Sequence, residues 1–261
     1  MQLLKYGVKL GKINFILISH LHGDHFLGLP GLLSTMSLMG RKEPLTLIGP
    51  EPLKKFLEDF MLISESRIGF DLEFITSETS ESKWLYENLL FRIRCFPLSH
   101  RIACTGFLIK ERKNLRKIIP AACEKAGVPM SFFKELKLGL DYQEGNEKTI
   151  PNDQLTQSPN PSRIYAYCSD TIYDESVVDH IKDVDLLYHE ATFMHDLLCR
   201  AEITFHTTAK QAGAIAAKAE VKRLAIGHFS SRYKTLEPLL DEAKAEFENT
   251  ELALEGRVFR L

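Results

Sequence analysis

A dense cluster of metal-binding residue types, His20-Leu21-His22-Gly23-Asp24-His25, is the feature that most restricts how this chain can fold. The cluster directly follows the apolar residues 14–18, so a strand is predicted to end where the cluster begins. Imidazole nitrogens and carboxylates are the ligands that borderline divalent metals such as zinc accept. Gly23 permits a turn, and we therefore expect the four side chains to converge on a metal site at the end of that strand.

Four ligands from one loop suit two metal ions better than one, because His20 and His22 cannot easily reach the ion that Asp24 and His25 hold. Further ligands are therefore expected at later strand ends. Three residues at or just after the ends of predicted strands are candidates: His100, Asp170 and His228. Taken singly, each is more often a capping or structural residue, and their shared position favours a metal site. A carboxylate has two oxygens, so Asp170 could bridge both ions.

Short apolar segments alternate with helical patterns over most of the 261 residues, which predicts a layered α/β fold. Strands are predicted over 13–19, 45–48, 70–75, 89–97, 106–110, 163–168, 185–189 and 223–228. Helices are predicted over 26–39, 51–62, 115–126, 176–181, 208–219 and 236–249, with Thr207 as the N-cap of the fifth. Residues 154–162, which include two prolines, are predicted to be a connector.

The composition excludes several classes of protein. Hydrophobic residues make up 44% of the chain, which is enough to bury a core. No apolar run approaches the roughly 18 residues of a membrane span, and the first residues lack a secretory signal, so we expect a cytoplasmic protein without membrane contact. The five cysteines are widely spaced without a C-x-x-C pair. They are expected to be reduced, mostly buried thiols.

The charge distribution is uneven along the chain. A net charge of −2 gives no global positive field that would attract a nucleic acid. Residues 110–137, however, contain eight basic residues and only three acidic ones. This excess indicates either a solvated helix face or a local patch for phosphate groups.

Several sequence motifs resemble one family of enzymes. The order of H-x-H-x-D-H, a histidine, an aspartate and a histidine at strand ends is similar to the metallo-β-lactamase superfamily. Five further stretches narrow the resemblance to its ribonuclease Z family, the endoribonucleases that process tRNA 3′ ends. These stretches are Tyr6-Gly7-Val8-Lys9-Leu10-Gly11, residues 25–33, residues 44–50, His189-Glu190-Ala191-Thr192-Phe193 and residues 227–233.

The resemblance implies a single αββα sandwich over 1–261 with a dinuclear zinc site at one sheet edge. In this assignment two Zn²⁺ ions bind per chain. The first is held by His20, His22 and His100, the second by Asp24, His25 and His228, and Asp170 bridges them. The activity implied is cleavage of the 3′ trailer from precursor tRNA by metal-activated hydroxide attacking a phosphodiester.

Three residues receive catalytic roles by the same resemblance. Asp24 orients or deprotonates the attacking water, His206 protonates the leaving 3′ oxygen, and Glu190 orients His206. Without the resemblance, His206 would be interpreted as a polar residue that caps the following helix. The family is commonly dimeric, so a homodimer is expected.

Two stretches depart from the family pattern. A strand-rich segment precedes the residues corresponding to 1–4 in the family, and its absence here predicts an N-terminally incomplete sandwich. Residues 111–160 correspond to the family's inserted tRNA-binding arm, and its first part, up to residue 137, contains most of the basic excess. Gly127-Val128-Pro129 is followed by Met130-Ser131-Phe132-Phe133 in place of the family's Gly-Pro element, so an altered arm tip is expected.

Two other functions are compatible with the sequence. The same site could hydrolyse a cyclic nucleotide or another small phosphodiester, because the fold does not determine the substrate. The arm argues for the larger substrate. The chain could also be an inactive RNA-binding or partner subunit, given the missing N-terminal strands. The complete ligand set argues against that alternative, because binding alone does not require it.

Overall fold

The structure is a computed structural model that describes residues 2–77, 80–112, 115–144 and 148–261. The described chain forms two compact units. The first runs to Lys110 and resumes over Ile164–Leu261, and the second is Glu111–Arg163. No helix among the described residues is long and apolar enough to cross a membrane.

The strands are β1 Phe15–Leu17, β2 Leu45–Gly49, β3 Leu72–Thr76, β4 Lys83–Glu87, β5 Phe91–Leu98, β6 Cys104–Glu111, β7 Lys117–Ile118, β8 Tyr142–Glu144, β9 Lys148–Ile150, β10 Thr156–Gln157, β11 Ile164–Cys168, β12 Leu186–Glu190, β13 Leu224–Gly227 and β14 Thr250–Leu252. The α-helices are α1 Gln2–Lys5, α2 Gly23–Phe26, α3 Leu29–Leu38, α4 Pro52–Ile63, α5 Pro120–Lys125, α6 Phe133–Leu138, α7 Asn152–Leu155, α8 Val178–Ile181, α9 Leu198–Thr204, α10 Ala209–Lys218 and α11 Glu237–Glu246. Short 3₁₀ helices lie at Leu10–Lys12, Met130–Phe132, Glu175–Val177 and His195–Leu197.

Two sheets form the first unit. One has three parallel strands in the order β1-β2-β3. The other has seven strands in the order β14-β13-β12-β11-β6-β5-β4, with β11 to β14 mutually parallel and β6 antiparallel to β11. All five residues of β2 are buried, as expected for the central strand of a parallel sheet covered on both faces.

Three apolar clusters show how the layers of the first unit pack. Residues of α3 and α4, such as Leu33 and Leu57, pack on the three-stranded sheet. Ile48 of that sheet meets Ile93 of the seven-stranded sheet in a second cluster between the two sheets. Ile215 of α10 belongs to a third cluster that covers the other face of the seven-stranded sheet. The order is helix, sheet, sheet, helix, and the predicted αββα sandwich is confirmed.

The second unit has its own small core. Two short antiparallel pairs, β7 with β10 and β8 with β9, accompany α5, α6 and α7. Its buried apolar side chains are Cys123, Val128, Leu136, Ile150 and Leu155. The unit includes residues 111–160, which the sequence predicts to be an arm, and its role stays a prediction.

Several sequence expectations about elements are wrong in detail. The helix predicted over 115–126 is a strand at Lys117–Ile118 followed by α5, because Pro120 biases the preceding residue towards extended backbone and can start a helix. The connector predicted over 154–162 contains the end of α7 and β10. The N-cap of α10 is Thr208, whose side chain forms a capping box with Gln211, and not Thr207.

The cysteine prediction is confirmed. All five cysteines are free, four are buried, and Cys199 is exposed. Burial raises the pKa of the Cys104 and Cys168 thiols, which keeps them protonated.

Candidate metal centre

Loops that follow four strands meet at one edge of the sandwich. His20 follows β1, His100 follows β5, Asp170 follows β11 and His228 follows β13. Hydrogen bonds fasten these loops together: Ser19 Oγ donates to Ser169 Oγ at 3.1 Å, and the Ser99 backbone N–H donates to Thr171 Oγ1 at 3.2 Å. The carboxyl ends of parallel strands are the usual ligand-binding edge of such a sheet.

The first set of candidate ligands comprises His20, His22, His100 and Asp170. His22 Nδ1 lies 3.2 Å from His20 Nε2 and 3.1 Å from His100 Nε2. Asp170 Oδ2 lies 3.6 Å from His20 Nε2 and 3.8 Å from His100 Nε2. Four ligand atoms thus surround one point.

The second set comprises Asp24, His25 and His228 and also adjoins Asp170. Asp24 Oδ2 lies 3.4 Å from His25 Nε2 and 3.9 Å from His228 Nε2. Asp170 Oδ2 is 3.5 Å from His25 Nε2, and Asp170 Oδ1 is 3.4 Å from His228 Nε2. The Asp170 carboxylate therefore faces both sets.

These separations fit metal coordination. Nitrogen and oxygen atoms bound to one tetrahedral zinc ion at 2.0–2.1 Å lie about 3.3 Å from one another. The first set has four such atoms within 4.8 Å of one another and the second has three, with the Asp170 carboxylate close to the two histidines of the second set. All are imidazole nitrogens or carboxylate oxygens. The residues present could hold two divalent ions that share Asp170.

Three of the candidate histidine ligands have a hydrogen-bond acceptor at Nδ1. His20 Nδ1 lies 3.0 Å from Ser19 Oγ, His100 Nδ1 lies 2.8 Å from the Phe205 carbonyl, and His228 Nδ1 lies 2.8 Å from Thr192 Oγ1. A neutral imidazole that donates through Nδ1 keeps the Nε2 lone pair free. In all three rings Nε2 therefore faces the candidate site, as a metal ligand requires.

Three of the candidate ligands, His20, His100 and Asp170, are kept in ligating forms by burial and by their neighbours. Burial, together with the charge of His25, lowers the pKa of His20 to about 3, so this imidazole is neutral at pH 7. Burial also lowers the pKa of His100. Burial alone would raise the pKa of Asp170, but the hydrogen bond from His25 and the charges of His228 and His20 outweigh it and hold this carboxyl ionised.

Glu190 is a fully buried carboxylate at the end of β12 with a complete set of donors. Oε1 accepts from the backbone N–H groups of Thr171 and Thr207, each at 3.1 Å, and from His206 Nδ1 at 2.9 Å. Oε2 accepts from the Thr192 backbone N–H at 3.0 Å and from Thr192 Oγ1 at 2.7 Å. Burial lowers the pKa of His206, but the hydrogen bond to Glu190 outweighs it and raises the pKa above its ordinary value.

His206 lies against the candidate ligands. Its ring centroid is 5.3 Å from the centroids of both His100 and His228. One of its nitrogens lies close enough to ligand atoms of Asp170 and His228 for the three residues to bind one metal ion. The sequence does not indicate this third grouping. Because Nδ1 binds Glu190, Nε2 is the nitrogen available for a proton or an ion.

The structure brings together all nine residues that the sequence selects for the site. Sequence reasoning gives no role to Thr192 or to the Phe205 carbonyl, although Thr192 belongs to a motif that it quotes. His189 is buried beside Glu190, and its Nδ1 lies 2.7 Å from the Glu190 backbone carbonyl.

Two further histidines, His180 and His195, are half-buried. His180 stacks on Phe96 with ring centroids 5.4 Å apart. His195 Nδ1 lies 3.1 Å from Thr208 Oγ1. Neither joins the candidate ligands among the described residues.

Comparison with known proteins identifies the family and the fold of the chain. No protein-family model matches the chain. A ribonuclease Z from Porphyromonas gingivalis is 43% identical over 240 residues, which cover 92% of this chain and 79% of that protein. The crystal structure of the short form of human tRNase Z matches with a TM-score of 0.68 at 26% identity. The match covers 99% of this chain and 83% of the human chain. The metallo-β-lactamase fold protein YhfI from Bacillus subtilis has a TM-score of 0.63 at 18% identity, covering 98% and 81%, and is similar in fold alone. The chain therefore has the metallo-β-lactamase fold and belongs to the ribonuclease Z family.

Proposed function

We propose that this chain is a metal-dependent endoribonuclease that removes the 3′ trailer from precursor tRNA, with two Zn²⁺ ions at the centre described above. The observation that carries the proposal is the pair of neighbouring ligand sets, each of which has two histidines within 3.8 Å of the Asp170 carboxylate. Family membership supports the reaction, and the imidazole-rich donor set supports zinc.

Each ligand has a defined part in this assignment. His20, His22 and His100 would hold one ion, Asp24, His25 and His228 the other, and Asp170 both. When bound, the pair of ions supplies Lewis acidity towards a phosphodiester and lowers the pKa of water. Asp170 supplies a negative charge between the two sets, which offsets the repulsion between two cations.

Asp24 differs from the other ligands in its exposure. Its side chain is 71% exposed, whereas that of Asp170 is 4% exposed. A carboxylate at the open side of the centre can accept a proton from water as well as bind a metal. Asp24 is therefore our candidate for orienting and deprotonating the nucleophile.

His206 and Glu190 form the candidate acid and its positioning partner. Glu190 holds the ring of His206 through Nδ1, and this leaves Nε2 to carry a proton towards the leaving 3′ oxygen. Since Glu190 is saturated by donors from three threonines, it cannot rotate away without leaving several buried N–H groups unpaired.

The unit Glu111–Arg163 is our candidate for substrate capture. Several of its described basic side chains are exposed: Arg112, Lys117, Lys125, Lys134 and Lys137. Lys113, which the sequence count includes, lies outside the described residues. Basic side chains on a separately packed unit can contact tRNA phosphates away from the scissile bond.

The homodimer and the cytoplasmic location stay predictions that the family resemblance and the sequence support. Light scattering on the purified chain tests the first. Fractionation of the source cells tests the second.

The function is tested with a precursor tRNA that carries a 3′ trailer. The chain, freed of metal by a chelator, should be inactive, and Zn²⁺ should restore a single cut that leaves a 3′-hydroxyl on the tRNA. A small chromogenic phosphodiester is assayed in parallel. Turnover of the small substrate without cleavage of the precursor would favour the small-phosphodiester alternative. Metal binding without turnover of either substrate would favour the inactive-partner alternative.

A further inference from the structure

An exposed aromatic residue adjoins both the candidate acid and a predicted metal ligand. Phe205 directly precedes His206, and 37% of its surface is exposed. Its backbone carbonyl accepts the hydrogen bond from His100 Nδ1 at 2.8 Å. The function proposed above uses only this carbonyl and gives no role to the ring.

The backbone at Phe205 is in a conformation that favours glycine. Its φ of 58° and ψ of 49° are left-handed. The backbone N–H of His206 donates to the Ala201 carbonyl and that of Phe205 donates to the Glu202 carbonyl, which is the Schellman pattern at the end of α9. The position usually holds glycine because a side chain there is sterically unfavourable. A large aromatic residue at such a site is a reason to look for a function of the ring.

Other exposed apolar side chains flank the same two histidines. Ile203, two residues before Phe205, is 75% exposed, and Ile102, two residues after His100, is 38% exposed. The hydrogen bond between His100 and Phe205 joins the two segments that carry them. Apolar surface next to a charged centre fits a ligand that combines an apolar face with a phosphate.

A nucleotide of single-stranded RNA has these properties. Proteins commonly bind unpaired bases by stacking them on aromatic side chains. Stacking needs only the π-face that every base has, so it tolerates precursors that differ in sequence at the cleavage site.

We propose that Phe205 is a base-stacking residue that binds the nucleobase on the 5′ side of the scissile phosphate. The inference rests on the proposed function, in which His206 protonates the 3′ oxygen of that same nucleotide. Because Phe205 is bonded to His206 and its carbonyl accepts from His100, this residue adjoins the part of the centre where the nucleotide would end. Ile102 and Ile203 supply apolar surface around the base.

The substitution Phe205→Gly tests the role of the ring separately from that of the backbone carbonyl. Glycine adopts the left-handed conformation readily and keeps the carbonyl that accepts from His100, so the metal content should match that of the unchanged chain. Phe205→Tyr keeps a ring. Phe60→Ala is the matched control, because Phe60 on α4 is also 37% exposed.

The assay measures binding of precursor tRNA and its single-turnover cleavage. One precursor has a normal nucleotide on the 5′ side of the cut, and a second has an abasic one there. Phe205→Gly should weaken binding of the first precursor by roughly 5- to 150-fold and leave binding of the abasic precursor unchanged. Phe205→Tyr and Phe60→Ala should resemble the unchanged chain. The fluorescence of a 2-aminopurine base at the same position should be quenched when the precursor binds. Phe205→Gly should remove this quenching.

Three results would overturn the inference. In the first, Phe205→Gly binds the normal precursor as tightly as the unchanged chain does. In the second, Phe205→Gly weakens binding of the abasic precursor as much as that of the normal precursor. In the third, the loss of binding depends on the first base of the trailer and not on the base at the 5′ side of the cut. If the unchanged chain neither binds nor cleaves any precursor, the proposed function itself fails, and the stacking proposal fails with it.

Discussion

Replacing Thr192 by valine should weaken one half of the metal centre selectively. Thr192 is nearly buried, and its Oγ1 lies 2.7 Å from Glu190 Oε2 and 2.8 Å from His228 Nδ1. The hydroxyl therefore links the carboxylate that positions the candidate acid to a predicted metal ligand. Valine has nearly the same shape but can neither donate nor accept a hydrogen bond.

The size of the effect follows from these contacts. A hydrogen bond to a charged group contributes about 1.5–3 kcal/mol, and loss of the partner of a metal-binding histidine typically lowers metal affinity by about 10- to 100-fold. A tenfold change in affinity corresponds to about 1.4 kcal/mol, so the two estimates are of similar size. Only the ion held by Asp24, His25 and His228 should be affected, because His20 and His100 have other partners for Nδ1.

Competition with a chromogenic zinc chelator measures the affinity of the two sites in turn. Thr192→Val should show one weakened site and one unchanged site, and excess Zn²⁺ should restore part of the activity. Thr192→Ser keeps the hydroxyl and serves as the control. If Thr192→Val and Thr192→Ser bind both ions equally well, the argument that Thr192 orients His228 is wrong.

Three further changes test other parts of the site. Asp170→Asn should lower the metal content of both sets and abolish turnover, because two cations would lose the charge between them; a full complement of metal by elemental analysis would contradict the bridging assignment. His206→Ala should keep the metals and slow single-turnover cleavage by about 10²- to 10⁴-fold, whereas the control His195→Ala should not; an unchanged rate would leave His206 as a structural residue only. Replacing residues 111–160 with a short Gly/Ser linker should preserve hydrolysis of a small chromogenic phosphodiester and raise the KM for precursor tRNA in a salt-dependent way. Equal loss of both activities would show that the unit is needed for the fold of the core.

The metal centre could be predicted because its residue types are distinctive and its geometry is simple. Four of its residues lie within six positions of the sequence, and the others follow apolar strands that end at the same edge of the sandwich. The strand preceding each of these residues is evident from its apolar run. The alternation of strands and helices predicts a layered α/β fold, and the family resemblance implies the αββα order.

The supporting contacts could not be predicted from the same patterns. Thr192 acts through one hydroxyl that meets Glu190 and His228 only after folding, and the Phe205 contact uses a backbone carbonyl, which every residue has. Positive φ at an aromatic residue has no local sequence signal. The helix predicted over 115–126 is different, because Pro120 is a local sequence signal for a helix start at that residue.

The single exposed thiol among the five cysteines provides a direct way to observe the candidate site in solution. Cys199 is on α9, six residues before Phe205, which corresponds to about 9 Å along a helix. The four buried thiols are shielded from reagents while the fold is intact. A thiol-specific fluorophore should therefore attach to one place on the native chain. Its emission would follow the arrival and departure of RNA at the end of α9 without any substitution in the protein.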